Sequence, residues 1–221
     1  MTFPRTKLIA LFVLLLMGVM TSRGWTAESE LKADSLYNKV IGSIATIKAE
    51  DSSGNKFTGT AFSAFNNNVF VTAWHLVKNA NSAKANFSNG DEYDVLGIID
   101  YDESKDIALI KIDSKYINKL VLSNEGVKIG SKVYTIGTPR GLEFSISDGL
   151  LSQIQTINKN KIYQFTSPVS QGSSGGPLLN TSGKVIGVVT SQFKEGQNIN
   201  FATPSLYVHS LFKKSAKNNI L

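Results

Sequence analysis

The sequence predicts an all-β protein of two six-stranded antiparallel β-barrels, with a candidate site in the cleft between them and a short helix at each end. Short runs of β-branched and aromatic residues alternate with turn residues along most of the 221-residue chain, as in small antiparallel barrels. These runs form two series on either side of residues 118–126. Residues suited to one catalytic site are divided between the two series, and a cleft between two barrels would bring them together.

The first series is predicted to follow a helix over residues 28 to about 39, where apolar residues have helical spacing. Its six predicted strands are 41–49, 56–64, 69–73, 83–87, 93–100 and 107–112. An Asn-Gly pair at 89–90 favours the type I′ turn of a hairpin between the fourth and fifth of these strands. The first barrel is therefore expected at about 38–120.

The second series contains predicted strands at 132–136, 143–158, 161–166, 185–192 and 198–202. These strands place the second barrel at about 125–203. Apolar residues recur at helical spacing after this barrel and predict a closing helix over about 205–215. Residues 25–221 are thus expected to form one two-barrel domain, because a chain of about 200 residues is long enough for a two-lobed β unit.

The first 24 residues are expected to be a signal peptide rather than part of the fold. Arg5 and Lys7 precede an apolar run at 8–20, which has the length of a signal-peptide core and is short for a membrane span. Cleavage is expected after Gly24, with a weaker alternative three residues later and an uncleaved anchor left open. The protein is therefore expected in a periplasm or outside the cell, with no stable membrane span once the signal is removed.

The composition excludes several kinds of site. The net charge of +6 falls to about +3 without residues 1–24, which is too mild to predict a nucleic-acid partner. The chain has no cysteine, so no disulfide, thiolate metal site or cysteine nucleophile is available. Its two histidines lie far apart and lack the spacing of zinc ligands. No metal and no cofactor are therefore expected.

The segment QGSSGGPLLN at 171–180 predicts a nucleophilic serine at a tight turn. Ser174 is the candidate nucleophile, and Gly172 can adopt backbone angles that aim its N–H at the same point as the N–H of Ser174. Two amides converging beside a hydroxyl form an oxyanion hole, which stabilises the negative charge that develops in acyl transfer. The predicted oxyanion hole is the backbone of Gly172, Ser173 and Ser174. The two glycines after Ser174 are expected to leave room for a substrate backbone.

A serine hydroxyl needs a base, and histidine is the usual one because its imidazole is largely neutral near pH 7. His75 lies just after a β-branched and aromatic run, at the end of the predicted third strand. His209 lies in an apolar-periodic segment near the C-terminus, where a surface or packing role is expected. His75 is therefore the predicted base.

The base in turn needs a carboxylate that fixes its tautomer and stabilises the imidazolium. Asp106 begins the run DIALIKI, which is typical of a buried strand, so its carboxylate is expected to be rigid and partly desolvated. Asp100, Asp102 and Glu103 lie in a charged stretch without such an anchor and are expected to form a solvated turn. Asp106 is therefore the predicted third member of the triad.

The order His75, Asp106, Ser174 resembles the chymotrypsin-like serine proteases, and more closely their bacterial HtrA/Deg-type branch. The resemblance covers about residues 38–205. The motifs that carry it are TAWHLV (72–77), DIALIK (106–111) and GSSGGP (172–177), with IGTPRG (136–141), SDG (147–149) and NFATP (200–204). The resemblance implies a secreted or periplasmic serine endopeptidase that acts on polypeptides through an acyl-enzyme.

Two departures from the family affect what is expected of regulation. Ser173 stands where animal proteases place the aspartate that pairs with a newly cleaved N-terminus, so activation by terminus insertion is not expected. Only 17 residues follow Pro204, so no PDZ domain of the HtrA kind is expected after the protease. A homo-oligomer is left open, since HtrA enzymes are often trimers.

The resemblance also implies the substrate-binding residues. Pro168, six positions before the nucleophile, is expected at the base of the P1 pocket, and its neighbours are uncharged. A buried acid would be needed to favour lysine or arginine there, so small or medium apolar P1 residues are predicted. Residues at the pocket walls are expected to pair with an extended substrate as an added strand. The expected walls are Thr190, Ser191 and Gln192. The expected floor is Asn200 and Phe201, with a place in the barrel core as the alternative for Phe201.

Two other interpretations stay open at this point. A protease-like module could bind extended peptides without cutting them, although such modules usually lack a triad member and all three are present here. A true protease could also stay latent until a partner or a second copy orders the loops at 167–171 and 141–149.

Overall fold

The computed structural model describes residues 30–66, 68–115, 118–138, 144–192 and 198–218. Within these ranges, twelve strands form two closed six-stranded antiparallel barrels, which confirms the predicted fold class. The predicted signal peptide lies outside the described residues, as do the last three residues of the IGTPRG motif. Every helix in the described part of the chain is too short or too polar to cross a membrane.

The first barrel contains β1 (Ile44–Asp51), β2 (Lys56–Ser63), β3 (Val69–Thr72), β4 (Ala80–Phe87), β5 (Glu92–Asp102) and β6 (Ile107–Ile112). The strands follow one another around the barrel in the order β1-β2-β3-β6-β5-β4. Alternate side chains of β6 point to opposite faces. Ile110 therefore packs inside the barrel, whereas Leu109 packs in the cluster between the two barrels. Burial on both faces explains why every residue of this strand except Lys111 is apolar.

The second barrel contains β7 (Lys132–Gly137), β8 (Ser145–Ile157), β9 (Asn160–Phe165), β10 (Pro177–Leu179), β11 (Val185–Gln192) and β12 (Asn200–Pro204). Its order, β7-β8-β9-β12-β11-β10, repeats that of the first barrel. Five of these strands overlap the predicted runs. The sixth, β10, is only three residues long and follows the predicted nucleophile turn directly, so no alternating pattern marks it.

The described helices are α1 (Ala33–Val40), α2 (Trp74–Val77) and α3 (Ser205–Lys217). Two single 3₁₀ turns complete the helical structure, at Ile41–Ser43 and Glu103–Lys105. The helix α1 begins later than predicted, because residues 30–32 are not helical and Lys32 is extended. The four-residue helix α2 has no sequence signal of its own, since a single turn is too short to show helical periodicity.

Three apolar clusters hold the fold together. One fills the first barrel around Phe70, and another fills the second barrel around Phe165. The largest lies between the barrels and includes both terminal helices; its members include Leu36, Phe62, Leu109, Ile136, Val188 and Leu211. The cleft is therefore set by a shared apolar interface rather than by a flexible linker.

The N-terminal segment binds the second barrel before it enters the first. The N–H of Leu31 donates to the carbonyl of Thr181 at 2.8 Å. Farther along, the Lys39 ammonium donates to the carbonyl of Ser182 at 2.9 Å. The first described residues therefore join the second barrel before the chain enters the first.

The C-terminal helix makes the reverse crossing, from the second barrel to the first. The hydroxyl of Ser215 donates to Asp100 Oδ2 at 2.9 Å, and Lys214 lies 3.5 Å from the same oxygen. The Asp100 side chain is only 13% exposed. The expectation that Asp100 forms a solvated turn is therefore wrong: its carboxylate holds α3 against β5.

Gly149 in β8 tests how tightly the second barrel packs near the site. A Cβ added to Gly149 would lie 2.3 Å from the backbone nitrogen of Ser167. Gly149→Ala should therefore destabilise the fold by about 1–3 kcal/mol, because the contacted atoms are main chain and must shift. Gly126→Ala is the control, since nothing lies within 4 Å of a Cβ built there, and it should leave stability unchanged or slightly higher. Urea unfolding compares the variants, and equal midpoints would contradict this packing.

Candidate active site

The predicted base, His75, is placed by the end of a buried strand. All four residues of β3 are buried, and the chain enters α2 one residue after Thr72. Trp74, the first residue of α2, stacks on Tyr101 of β5 with ring centroids 3.8 Å apart. These contacts fix the backbone of His75 at the edge of the first barrel.

Asp106 holds both the ring and the backbone of His75. Its Oδ2 lies 2.7 Å from Nδ1 of His75, and its Oδ1 accepts the main-chain N–H of His75 at 2.9 Å. The His75 side chain is 43% exposed and that of Asp106 is 29% exposed, so the ring faces the cleft while the carboxylate is partly covered. Because an ionised carboxylate only accepts hydrogen bonds, the proton of a neutral His75 lies on Nδ1. The lone pair of Nε2 is then available to act as a base.

The backbone of Asp106 adopts a left-handed conformation, with φ 51° and ψ 46°. This conformation is uncommon for residues other than glycine and costs about 1–2 kcal/mol. All four polar groups of Asp106 have partners that offset this cost. Its N–H donates to Glu103, its carbonyl accepts from Trp74 at 3.3 Å, and its two carboxylate oxygens bind His75.

The turn that precedes Asp106 is held by the second barrel. Thr203 of β12 donates its hydroxyl to the carbonyl of Lys105 at 2.6 Å. The Lys105 ammonium pairs with Asp102 and lies 5.1 Å from the centre of the Tyr207 ring. Burial alone would raise the pKa of Asp102, but hydrogen bonds from Lys105 and Ser104 outweigh it and hold that pKa below its ordinary value. Asp102 is therefore part of an ion pair rather than of the expected solvated turn.

Ser174 comes from the second barrel and contacts β2 of the first. The N–H of Thr60 donates to the carbonyl of Ser174 at 2.8 Å. The Ser174 hydroxyl donates to the carbonyl of Thr190 at 3.3 Å, and Thr190 is the extra residue at a bulge of β11. Such a bulge leaves its carbonyl outside the strand ladder. Among the hydrogen bonds of the described residues, none joins the Ser174 hydroxyl to Nε2 of His75.

The predicted oxyanion hole is a tight turn in which only two of the three predicted amides are unpaired. Gly172 has φ 102° and precedes Ser173, whose N–H closes the turn on the carbonyl of Ser170 at 3.0 Å. The inclusion of Ser173 in the oxyanion hole is therefore corrected, because its amide already has an acceptor. No described residue accepts the N–H of Gly172 or of Ser174, which leaves both available to a ligand.

The two glycines that follow the predicted nucleophile pack against main-chain atoms, Gly175 across the barrel interface and Gly176 within the second barrel. Gly175 has φ 83°, and a Cβ there would lie 2.1 Å from the carbonyl oxygen of Thr60. A Cβ on Gly176 would lie 2.8 Å from the carbonyl oxygen of Ile136. The expectation that these glycines clear space for a substrate is wrong. The space beside them is occupied by the protein's own backbone.

The residues expected around the P1 pocket are only partly brought together. Pro168 is exposed, and its carbonyl accepts a hydrogen bond from Ser147, so it does not form the covered base that was expected. Ser167 beside it is fully buried, and its carbonyl accepts from the Asn200 side chain at 2.8 Å. Asn200, expected at the floor, is therefore buried against the neighbour of Pro168.

The end of β11 provides an open strand edge beside Ser174. Ser191 and Gln192 pair with β12 on one side. On the other side, the pairing of β10 with β11 ends at Pro177 and Val188, before residues 190–192. Within the described residues, the β10 side of 190–192 therefore has no strand partner. An extended peptide could pair there.

Two residues that hold the site, Thr60 and Thr203, have no local signal in the sequence. Each is a threonine in a strand, where a β-branched residue is expected for packing alone. Their hydroxyls gain a role only because the other barrel presents a carbonyl to each. Their roles could be recognised only once the structure showed which carbonyl of the other barrel lies beside each hydroxyl.

Known proteins share both sequence and fold with this chain. Residues 58–188 match the family described as the trypsin-like peptidase domain. Serine protease HTRA1A of Danio rerio is 34% identical over 168 residues, which cover 72% of this chain and 34% of that protein. A probable periplasmic serine endoprotease, DegP-like, of Chlamydia muridarum is 33% identical over 157 residues, covering 67% of this chain and 31% of that protein.

The chain thus spans about a third of the length of these two relatives. Among solved structures, the serine endoprotease from Yersinia pestis superposes with a TM-score of 0.76 at 22% identity. That superposition covers 87% of this chain and 69% of the other. At this level of identity the likeness is one of fold.

Thr203→Val tests how the second barrel supports the turn before Asp106. Valine keeps the shape of threonine but leaves the Lys105 carbonyl without its 2.6 Å donor, so we expect a loss of about 0.5–1.5 kcal/mol in the free energy of unfolding. Ser210→Ala is the control, because it removes an exposed hydroxyl bond to the Leu206 carbonyl and should have no measurable effect. Thermal unfolding of both variants measures the difference, and identical melting temperatures would contradict the role of Thr203.

Proposed function

The chain belongs to the HtrA type of trypsin-like serine peptidases, and from this membership we propose that it is a serine endopeptidase that hydrolyses peptide bonds through an acyl-enzyme. The observation that carries the proposal is the pairing of Asp106 with Nδ1 of His75 at 2.7 Å, which leaves Nε2 as a free base in the cleft. Ser174, with the two unpaired amides beside it, supplies the nucleophile that such a base serves.

In the proposed reaction, Ser174 attacks the substrate carbonyl while Nε2 of His75 takes the hydroxyl proton. His75 then donates this proton to the departing amine, and water repeats the sequence to release the acyl group. Asp106 stays ionised and stabilises the imidazolium. The 3.3 Å bond from the Ser174 hydroxyl to Thr190 is long, so rotation of the hydroxyl toward His75 requires the loss of only a weak interaction. Catalytic hydrogen bonds often tighten only when substrate is bound.

The amides of Gly172 and Ser174 are proposed to bind the oxyanion of the tetrahedral intermediate. Neither has an acceptor among the described residues, so no internal bond must break when the charge develops. Donors fixed in place before the reaction stabilise such charge more than mobile solvent does. The N–H of Ser173 does not bind the oxyanion in this proposal. It bonds to Ser170 and so holds the turn that carries the other two amides.

The proposed substrate is an extended polypeptide, bound along the open edge at 190–192 and cut after a small or medium apolar residue. The buried groups near the proposed P1 position, Ser167 and Asn200, are uncharged and bonded to each other. Neither residue offers a carboxylate to pair with the charge of a P1 lysine or arginine. Burying an unpaired charge is costly, so such residues are disfavoured.

Export is part of the proposal. An apolar run at 8–20 follows Arg5 and Lys7, as in secretory signals. One of the relatives is named as probably periplasmic, which supports the same location for this protein.

Fluorophosphonate labelling of the purified protein tests the proposed nucleophile and base. Wild type should be labelled, whereas Ser174→Ala and His75→Ala should not, because one lacks the attacking oxygen and the other the base. Asp106→Asn should keep the fold but lower peptide turnover by about 10⁴-fold, since an amide favours the wrong tautomer of His75.

His209→Ala is the matched histidine control and should be labelled like wild type, because His209 lies on α3, which carries none of the three candidate catalytic residues. Labelling of Ser174→Ala at the wild-type rate would refute the assignment. A well-folded wild type that is neither labelled nor active would favour a module that binds peptides without cutting them.

A peptide library randomised at P1 tests the specificity. Cleavage should be fastest after alanine, valine and residues of similar size, because the buried groups near the proposed P1 position, Ser167 and Asn200, are uncharged. Mass spectrometry of the products gives the preference directly. A profile dominated by lysine or arginine would overturn this prediction while leaving the mechanism intact.

A further inference from the structure

We propose that Thr60, a residue of the first barrel, is a positioning residue for the oxyanion hole formed by the second barrel. The inference rests on the proposed function and deepens it. Its basis is a pair of hydrogen bonds by which Thr60 binds the turn on both sides of Ser173. Neither the motif around Ser174 nor the triad includes this residue.

Thr60 binds two carbonyls of the nucleophile turn. Its hydroxyl donates to the carbonyl of Gly172 at 2.8 Å, and its N–H donates to the carbonyl of Ser174, also at 2.8 Å. The side chain of Thr60 is fully buried, so water does not compete for either bond. A third bond, from the Thr72 hydroxyl to the Thr60 carbonyl at 2.8 Å, fixes the threonine itself.

These bonds fix the peptide plane between Gly172 and Ser173. The carbonyl end of this peptide is held by the Thr60 hydroxyl, and its N–H end is held by the carbonyl of Ser170 at 3.0 Å. A planar peptide held at both ends cannot rotate. Its neighbours are the two peptides that carry the unpaired N–H groups of Gly172 and Ser174.

Without the Thr60 hydroxyl, the peptide between Gly172 and Ser173 would be held at its N–H end only. Glycine reaches left-handed and right-handed backbone angles with similar ease, so a φ of 102° is only one of its accessible states. An oxyanion donor is effective only when it lies about 2.7–3.1 Å from the developing charge. A displacement of about 1 Å at such a site can lower the rate by about 100-fold. The hydroxyl of Thr60 therefore selects the productive state of the turn.

The register of the first barrel supplies a matched control at Thr46. Thr46 lies directly opposite Thr60 in the β1–β2 pair, and both are fully buried. The Thr46 hydroxyl also bonds to the second barrel, at 2.6 Å from the hydroxyl of Thr138. Thr138 follows β7 and is not part of the nucleophile turn. The two threonines thus make similar contacts between barrels, but only Thr60 contacts the turn.

Thr60→Val, Thr60→Ser and Thr46→Val, each in the full chain, separate positioning from general stability. Thr60→Val should lower kcat for a peptide substrate and the rate of fluorophosphonate labelling by about 10-fold to 100-fold, with KM within about twofold. Thr60→Ser keeps the hydroxyl and should stay within about threefold of wild type. Thr46→Val should lose stability but keep kcat. If Thr60→Val does not fold, Thr60→Ala replaces it in every measurement.

Amide hydrogen exchange at Ser173 tests the same inference without catalysis. Loss of the Thr60 hydroxyl should speed exchange of the Ser173 N–H by about 10-fold or more, whereas Thr46→Val should not. Unchanged exchange in Thr60→Val, or an equal fall of kcat in Thr46→Val, would overturn the inference even if the enzyme is active. Faster exchange in Thr60→Val with an inactive wild type would instead refute the proposed endopeptidase while supporting the role of Thr60.

Discussion

The rest of the site depends on one feature of the first barrel: β2 and β3 are not paired on the N-terminal side of Phe62. The two strands pair only at Phe62–Val71 and Ser63–Phe70, so the N–H and carbonyl of Thr60 have no partner in β3. Buried backbone groups must be bonded, and here the nucleophile turn and a threonine hydroxyl supply the partners. The departing strand leads directly to His75. This one irregularity of the first barrel therefore places the candidate base, His75, and creates the edge that binds the turn of the candidate nucleophile, Ser174.

Close contact at this edge determines which residues the nucleophile turn can contain. Gly175 lies so near Thr60 and Thr72 that a side chain would overlap backbone and hydroxyl atoms, quite apart from its φ of 83°. Gly175 is thus required for the barrels to dock, and Gly176 is required for the packing of the turn against β7 within the second barrel. A motif that sequence reasoning associates with substrate access is explained better by the fit between two parts of the same chain.

The sequence predicts those features that depend on local patterns. Alternating and continuous apolar runs indicate eleven of the described strands, and motif spacing brings forward Ser174, His75 and Asp106 as candidates. Features that depend on contacts distant in sequence were missed. Asp100 is held by a helix more than 100 residues later, β10 is too short to show periodicity, and Pro168 is exposed where a covered base was expected. The identical strand order of the two barrels also leaves no repeat in the sequence, because many residue combinations can fill the same barrel.

Two members of the candidate site, Asp106 and Ser174, are therefore held with the help of the barrel that does not contain them. Asp106 of the first barrel follows a turn bound by Thr203 of the second, and Ser174 of the second is bound by Thr60 of the first. A shift of one barrel against the other would disturb the carboxylate and the nucleophile turn together. The large apolar cluster between the barrels, closed at both ends by α1 and α3, opposes such a shift. The contacts that stabilise this interface therefore also fix the geometry of the site, so a loss of one entails a loss of the other.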